Sequence, residues 1–279
     1  LKIQTIHSFC ASLLRRFPLE AGVSPQFKEI EDRAAEFLRA DILDAMAEGD
    51  EAGLVTDLAA HYTGESFASL TQAITGKREL FTDLPDDLNG LFGLPDGFDV
   101  NTLPRTVMDE AVARWMPAVI DVIAPMPKTM GEAGGRLKKI DFTNPSFTDL
   151  EQLKRVLLTG EFTIRKSLLT KDAQKNGCAA YLSAYEDLAQ RTLEAHELQM
   201  CARNVARTHA LHRFAARFII RYEAAKQKRG WLDFDDLILR ARALLNDPKV
   251  AAWVLYRIDG GIDHILVDEA QDTSPRQWD

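Results

Sequence analysis

The feature that most constrains this fold is a long stretch of chain without proline. Between residues 177 and 229 no proline occurs, and apolar side chains at Leu211, Phe214, Phe218 and Tyr222 repeat at helical spacing. Gly230 then supplies the left-handed conformation that commonly ends a helix. The sequence therefore predicts one long helix over residues 177–229 and a chain of mainly α class.

Shorter periodic segments surround this helix. Thr5 is a predicted N-cap for a helix that carries Phe9, Leu13, Leu14 and Phe17 on one face. Further helices are predicted over residues 32–46, 52–62, 66–75, 105–123, 146–158 and 247–258. Residues 76–104 are rich in Gly, Pro and Asp and are interpreted as a long irregular connection, and "APMPKTMGEAGG" as another loop.

The stretch "LDFDDLILRARALL" predicts one more helix, with Asp233 as N-cap and Asp236 three residues later in a capping box that uses Asp in place of Glu. Its predicted buried face consists of Phe234, Leu237, Ile238, Ala241, Leu244 and Leu245.

One clear strand is predicted, over residues 262–267, with a weak one in "LKIQ" at the start. A strand needs partners, and these two lie at opposite ends of a mostly helical chain. This pattern favours a helical insertion whose two ends belong to one α/β domain. The absence of an initial Met also suggests an excised piece of a longer protein.

The charge of the chain is unevenly distributed. Net charge is −8, which argues against a purely electrostatic nucleic-acid binder, yet Glu223 is the one acid among eight Lys and Arg side chains between Gln199 and Arg229. Arg213, Arg217 and Arg221 are spaced by four and share one helix face. This basic stripe either neutralises successive phosphates of DNA or is a solvated face with salt bridges to the acidic remainder.

Several common types of site are disfavoured. The three cysteines, Cys10, Cys178 and Cys201, fit neither a disulfide framework nor a zinc site and suit a reducing compartment. No apolar run approaches the roughly 20 residues that cross a bilayer. "TGKRE" (75–79) is not part of a phosphate-binding loop, because Thr71 upstream stands where the first Gly is needed and Arg78 stands where Ser or Thr is needed.

The chemistry of the chain is concentrated near its end, where Ile265, Leu266 and Val267 lead directly into Asp268 and Glu269. A carboxylate at the tip of a buried strand can hold Mg²⁺, and its neighbour can orient the water that attacks a γ-phosphate. The alternative is a buried strand that runs into an acidic, solvated turn.

The longer motifs resolve this choice by resemblance. In chain order, "TIHSF" (5–9), "LDFDDLI" (232–238) and "ILVDEAQDTS" (265–274) resemble the superfamily I DNA helicases of the UvrD/Rep/PcrA kind. The segment "FPLEAGVSPQFKEIED" and the long insertion are similar to the AddA branch, the helicase–nuclease subunits of bacterial double-strand-break repair. The middle of the chain carries little that matches.

The resemblance implies roles for individual residues. Asp268 and Glu269 would hold Mg²⁺, Glu269 would also activate water, and Gln271 would couple the phosphate state to the DNA-binding elements. Thr5, His7 and Phe9 would lie beside the single-strand track. Core packing is the alternative for Phe9, and helix-surface or capping use is the alternative for His7.

The resemblance also implies an organisation and partners. Residues 1–24 and 230–279 would be pieces of a P-loop α/β domain, 1A, that flank a helical insertion, 1B, over 25–229. The parent would use ATP and Mg²⁺, with its phosphate loop upstream, so this fragment would bind no nucleotide and hydrolyse none. Expected partners are single-stranded and junction DNA and a second helicase–nuclease subunit, in the bacterial cytoplasm at the nucleoid. The alternative is a non-enzymatic DNA-binding or subunit-docking module.

Overall fold

The structure is a computed structural model that describes residues 5–62 and 66–258. The described chain is mainly helical, as predicted. Both predicted strands, over residues 1–4 and 262–267, lie outside the described residues. The described residues fall into two compact units, one formed up to Leu84 and again from Ala210 onward, the other by Pro85–His209.

The first unit contains seven α-helical segments, one 3₁₀ turn and a small parallel β-ladder among its described residues. The elements are α1 (Ile6–Arg16), β1 (Lys28–Glu29), α2 (Asp32–Glu48), α3 (Ala52–His61), α4 (Phe67–Gly76) and a 3₁₀ turn (Arg78–Phe81). After the second unit, the chain returns to it with the C-terminal part of a long helix, followed by a second strand and two more helices.

The second unit is entirely helical among its described elements. It contains α5 (Leu88–Leu91), a 3₁₀ turn (Val100–Thr102), α6 (Leu103–Val107), α7 (Glu110–Ile123), α8 (Lys128–Leu137), α9 (Phe147–Leu157) and α10 (Lys171–Ala173). A π turn (Gln174–Cys178) and a 3₁₀ turn (Ala179–Tyr181) then lead into α11 (Leu182–Arg229). The first unit resumes with β2 (Trp231–Leu232), α12 (Phe234–Asn246) and α13 (Ala251–Ile258).

Two apolar cores stabilise the first unit. One joins α1 to α12 and α13 through residues such as Leu14, Leu237 and Val254, all of which are fully buried. The other packs α2, α3 and α4 against the end of α11, where Phe214 and Phe218 have no solvent exposure. The predicted apolar repeat of the long helix is thereby confirmed, because burial of this face stabilises the helix.

The β-ladder of the first unit was not predicted. Lys28 pairs with Trp231 and Glu29 with Leu232 in parallel register. Strands this short leave too little alternation to detect in the sequence, and their pairing depends on residues about 200 positions apart meeting in the fold. The ladder fixes the chain between α11 and α12 beside the chain that follows α1.

A predicted loop is wrong in the second unit, because "APMPKTMGEAGG" contains α8. Glycines within one helical segment lower its propensity, which hid the helix from sequence reasoning. A Cβ atom on Gly134 would come within 2.6 Å of the Ala124 backbone, and one on Gly131 within 2.0 Å of the Met126 carbonyl oxygen. Gly134 is therefore needed for the close approach of α8 to the end of α7, and Gly131 for its approach to the connecting chain at Met126.

Two predicted helix boundaries also change. The helix predicted over 105–123 is split, because the Asp109 side chain accepts a 2.9 Å hydrogen bond from the Val112 backbone and begins α7 after α6 has ended. The long helix begins at Leu182, because Gly177 adopts a φ of 116° that no regular helix permits. The end of α11 agrees with the prediction, since Gly230 has a φ of 64°.

Residues 76–104 are largely irregular, as expected, but they are not without structure. They contain the 3₁₀ turn at Arg78–Phe81, the short α5 and the start of α6, and Leu88, Leu94 and Leu103 are buried. The predicted 1A and 1B pieces are family assignments with boundaries different from those of the two compact units, and they stay predictions.

Candidate nucleic-acid interface

The two motif stretches that the structure describes meet at the first turns of α1 and α12. Thr5 is the N-cap of α1, as predicted, and its hydroxyl accepts a hydrogen bond from the Ser8 backbone at 3.3 Å. Two residues on, the His7 ring packs edge-on against Phe234, with 5.0 Å between ring centroids. The packing of α1 on α12 therefore brings these two stretches into contact, although they lie far apart in the sequence.

Phe234 does not belong to the buried face that the sequence predicts. Its side chain is 49% exposed, whereas Leu237, Ala241 and Leu244 are buried as expected. Phe234 is the first residue of α12, and helical side chains lean towards the N-terminus of their helix, so its ring extends past the apolar core. The structure thus presents an aromatic pair, His7 and Phe234, at the surface.

Phe9 lies in an environment that suits core packing, which is the alternative to DNA contact for this residue. It is partly buried and packs against the core formed by α1, α12 and α13. This placement accounts for Phe9 as a packing residue. Its predicted contact with a single strand remains a prediction, as do those of Thr5 and His7.

A buried cluster of charges lies behind the aromatic pair. Arg78 binds Asp233 through two hydrogen bonds of 2.9 and 3.1 Å and Asp236 through a third of 2.8 Å. Lys226 contacts the same two carboxylates at 2.7 and 2.6 Å and also contacts Glu223 at 2.9 Å. Lys226 is 1% exposed and the Arg78 side chain 10%. We call these five residues the buried ion cluster.

The capping box predicted for α12 is confirmed and forms part of this cluster. The Asp233 side chain accepts from the Asp236 backbone at 2.8 Å, and the Asp236 side chain accepts from the Asp233 backbone at 2.9 Å. Each carboxylate therefore caps the helix with one set of contacts and binds Arg78 and Lys226 with another. The first turn of α12 is fixed by both.

The cluster shifts the acid–base equilibria of its members. Burial opposes charge on Asp233, but Arg78 and Lys226 overcome it and hold the Asp233 pKa far below its usual range. Burial and then the adjacent Asp233 carboxylate raise the pKa of Asp236. Burial would lower the Lys226 pKa, yet the two aspartates hold it above its ordinary value. The interactions favour charged Lys226 and Asp233 at neutral pH.

Glu223, Asp233 and Asp236 bring carboxylate oxygens within 4.8 Å of one another, which is metal-ligand spacing. The oxygens of Asp233 and Asp236 instead accept hydrogen bonds from Arg78 and Lys226. Glu223 Oε1 forms ion pairs with the same two cations, 3.3 Å from Arg78 and 2.9 Å from Lys226. Two protein cations already supply the positive charge. The cluster is therefore organised as a structural ion network.

The basic stripe makes salt bridges to acids of α3 and its N-cap. The Nε atoms of Arg217 and Arg221 lie 2.7 and 2.6 Å from the two carboxylate oxygens of Glu51. Arg213 lies 3.6 Å from Asp57, and both of those side chains are exposed. The salt-bridge interpretation of the stripe is thus confirmed, while its contact with DNA stays a prediction.

Sequence reasoning missed Arg78, Lys226 and Glu51 as members of these networks. The sequence identifies Arg78 only as the wrong residue for a phosphate loop. A lone Arg far from its partners carries no local signal, and neither does a single Glu between α2 and α3. The acids of "LDFDDL" were predicted only as helix-capping residues, and capping by itself does not require a cation nearby.

Asp268, Glu269 and Gln271 lie outside the described residues, so their predicted roles are neither supported nor opposed by the structure. The cysteines are free thiols. None of the helices in the described part of the chain combines the length and apolar character needed to span a bilayer.

Comparison with known proteins agrees with the motifs. The family model described as UvrD/REP helicase N-terminal domain matches residues 1–279. Three similar curated proteins are each named as an ATP-dependent helicase/nuclease subunit. That of Geobacillus kaustophilus is 26% identical over 98% of this chain, that of Limosilactobacillus fermentum 24% over 99%, and that of Listeria monocytogenes 23% over 98%. This chain spans about a quarter of their length, at 25%, 24% and 25%.

Proposed function

Because this chain belongs to the UvrD/REP helicase N-terminal domain family, we propose that it is the DNA-contacting part of an ATP-dependent DNA helicase, of the helicase–nuclease kind that acts in double-strand-break repair. The family match over the whole chain supports the helicase assignment. The names of its similar relatives support the nuclease-linked branch.

The observation that carries the proposal is the aromatic pair at the first turns of α1 and α12. An exposed Phe ring backed by a His ring offers a flat apolar face, and single-stranded nucleic acids bind proteins largely by stacking bases on such faces. In this proposal a base stacks on Phe234, with His7 supporting the ring and Thr5 at the same helix end.

The buried ion cluster supports this role by fixing the first turn of α12. Stacking requires a ring with one orientation, and a ring on a fraying helix end would lose entropy on binding. The capping box and the contacts from Arg78 and Lys226 hold the residues on either side of Phe234.

For the ATP site, we carry the proposed roles onto three residues. Asp268 and Glu269 would hold Mg²⁺, Glu269 would activate the attacking water, and Gln271 would link the phosphate state to the DNA-binding elements. The parent uses ATP and Mg²⁺, and the 279 residues of this chain contain no sequence of the form G-x-x-x-x-G-K-[ST]. The chain by itself is therefore inactive as an ATPase. We also propose that the parent protein acts in the bacterial cytoplasm together with a second helicase–nuclease subunit.

The test of the single-strand surface is fluorescence anisotropy with a labelled thymidine oligonucleotide. Phe234→Ala is expected to weaken binding by roughly 5-fold to 150-fold, the loss of about 1–3 kcal/mol for one base–aromatic stack. Its melting temperature should remain close to that of the wild type, because the ring is half exposed.

Phe17→Ala is the matched control, since it removes the same ring from the buried core that α1 shares with α12 and α13 and not from the surface. It should lower thermal stability while leaving the affinity of the folded protein for the oligonucleotide nearly unchanged. Equal affinities of wild type and Phe234→Ala would reject the aromatic pair as the single-strand site.

The ATPase part of the proposal needs the longer parent protein. DNA-stimulated hydrolysis by that protein should vanish in Glu269→Gln, and the present chain should show no hydrolysis. Metal-dependent hydrolysis by the present chain that Glu269→Gln abolishes would contradict the assignment.

A further inference from the structure

Glu51 lies between two arginines of the basic stripe and binds both of them. Glu51 sits at the N-cap of α3, where its side chain makes no capping hydrogen bond. Each of its carboxylate oxygens instead accepts from the Nε atom of a different arginine, Arg217 at 2.7 Å and Arg221 at 2.6 Å. One acid thus holds two side chains that lie one helical turn apart.

The contact uses only one edge of each guanidinium group. Glu51 has a side-chain exposure of 10%, whereas Arg217 and Arg221 are 57% and 41% exposed. Within the described residues, the hydrogen bonds of both arginines run from Nε, and none runs from the terminal Nη atoms. The Nη donors are therefore available on partly exposed side chains whose inner edges are fixed.

This geometry suits a phosphodiester backbone. Guanidinium groups bind phosphate oxygens through parallel N–H donors, and a fixed guanidinium loses less entropy on binding than a free one. Two cations held by one anion also leave a net positive charge at this point of an acidic protein. An anionic ligand would therefore meet attraction here.

We propose that Glu51, Arg217 and Arg221 form a paired phosphate-binding site for the backbone of duplex DNA, in which Glu51 is the positioning residue. The inference rests on the proposed DNA-binding function, but it concerns duplex backbone rather than the single strand at Phe234. Glu51 accordingly strengthens binding even though it carries the same charge sign as DNA.

The direction of the change in DNA affinity on removing the Glu51 charge distinguishes positioning of the arginines from simple charge neutralisation. If Glu51 only screens the arginines, then removing its charge must strengthen DNA binding. If Glu51 positions them, then removing its charge must weaken binding, because a Gln amide replaces one of the two acceptor oxygens with an NH₂ donor, which cannot accept from the Nε–H of the arginine it faces.

The experiment measures anisotropy of a labelled duplex with the full 279-residue chain, between about 50 and about 200 mM salt. Glu51→Gln should weaken duplex binding roughly threefold to tenfold at the lowest salt and lower the slope of log K against log salt by about one. The double variant Arg217→Ala, Arg221→Ala should weaken it further and lower the slope by about two.

Asp57→Asn is the matched control. It removes the same charge from α3 beside Arg213, in a pair that is longer and exposed on both sides, at 3.6 Å. It should leave duplex affinity unchanged or raise it. Opposite signs for Glu51→Gln and Asp57→Asn would support the positioning role.

Two results would overturn the inference. Unchanged or stronger duplex binding by Glu51→Gln would show that Glu51 does not position the two arginines. No duplex binding by the wild type at low salt, or none lost in the double arginine variant, would show that the pair does not bind phosphate. The single-strand assay with Phe234→Ala judges the proposed function separately from either result. Equal melting temperatures of the variants exclude misfolding as the cause.

Discussion

The helix α11 contributes to two groups of charges that differ in almost every physical respect. Near its end, Lys226 enters the buried ion cluster, in which two cations face three carboxylates and nearly all contacts are shorter than 3.2 Å. Two turns earlier, Arg217 and Arg221 lie half exposed on either side of one acid, Glu51. The basic residues of one segment thus serve two different purposes.

Burial explains the difference. A buried cation loses its hydration and must have its donors occupied by protein acceptors, which leaves nothing for a ligand. A half-exposed arginine keeps its hydration at the outer edge, so that it can exchange water for phosphate oxygens. Counting basic residues along α11 therefore overstates the surface that could contact DNA.

The largest expected effect on stability comes from removing a cation from the buried ion cluster. Lys226→Met should lower the free energy of unfolding by about 3–5 kcal/mol, because it leaves Asp233 and Asp236 adjacent with Arg78 as their remaining close cation. Urea denaturation monitored by circular dichroism measures this change. A loss below about 1 kcal/mol, the range of surface pairs, would mean that the cluster is hydrated rather than buried.

The pH dependence gives an intermediate effect. Since the folded-state Lys226 pKa is raised, its contribution to stability is fully present below the unfolded value of about 10.4 and is lost as pH rises through the higher folded value. The difference in unfolding free energy between wild type and Lys226→Met should thus narrow above about pH 10.4. If the difference in unfolding free energy stays constant above that pH, then the ionisation of Lys226 does not contribute to stability.

The smallest expected effect is at the exposed pair of Arg213 and Asp57. A double-mutant cycle with Arg213→Met and Asp57→Asn should give a coupling energy below about 1 kcal/mol, which added salt abolishes. The same cycle on Lys226 and Asp236 should be much larger and nearly independent of salt. Similar coupling energies for the two pairs would mean that the buried ion cluster and the exposed pair do not differ in their contribution to stability.

Much of the local structure follows from the sequence because it depends on neighbours. The N-caps at Thr5 and Asp233, the Asp capping box and the end of α11 at Gly230 were all predicted from residues a few positions apart. The helix α8 was not, since Gly131 and Gly134 are explained by close approach to the backbone of Met126 and Ala124 rather than by local preference.

The candidate site was predicted less completely than the helices. The motif stretches pointed to His7 and to "LDFDDL", but periodicity places Phe234 on the buried face, and Arg78 stands out only for failing to fit a phosphate loop. Periodicity reports which residues share a helix face, and it does not report where the core beneath that face ends.

By itself, the sequence determined the mainly helical class, the caps, the basic stripe and the resemblance to UvrD-like helicases, because each is encoded in spacing or in contiguous motifs. Only the tertiary structure decided that His7 meets Phe234 and that Arg78 reaches Asp233 across 155 positions. It also decided that Glu51 holds Arg217 and Arg221. These contacts join distant segments, and the partner of a charge or a ring is set by how helices pack rather than by the residues beside it in the chain.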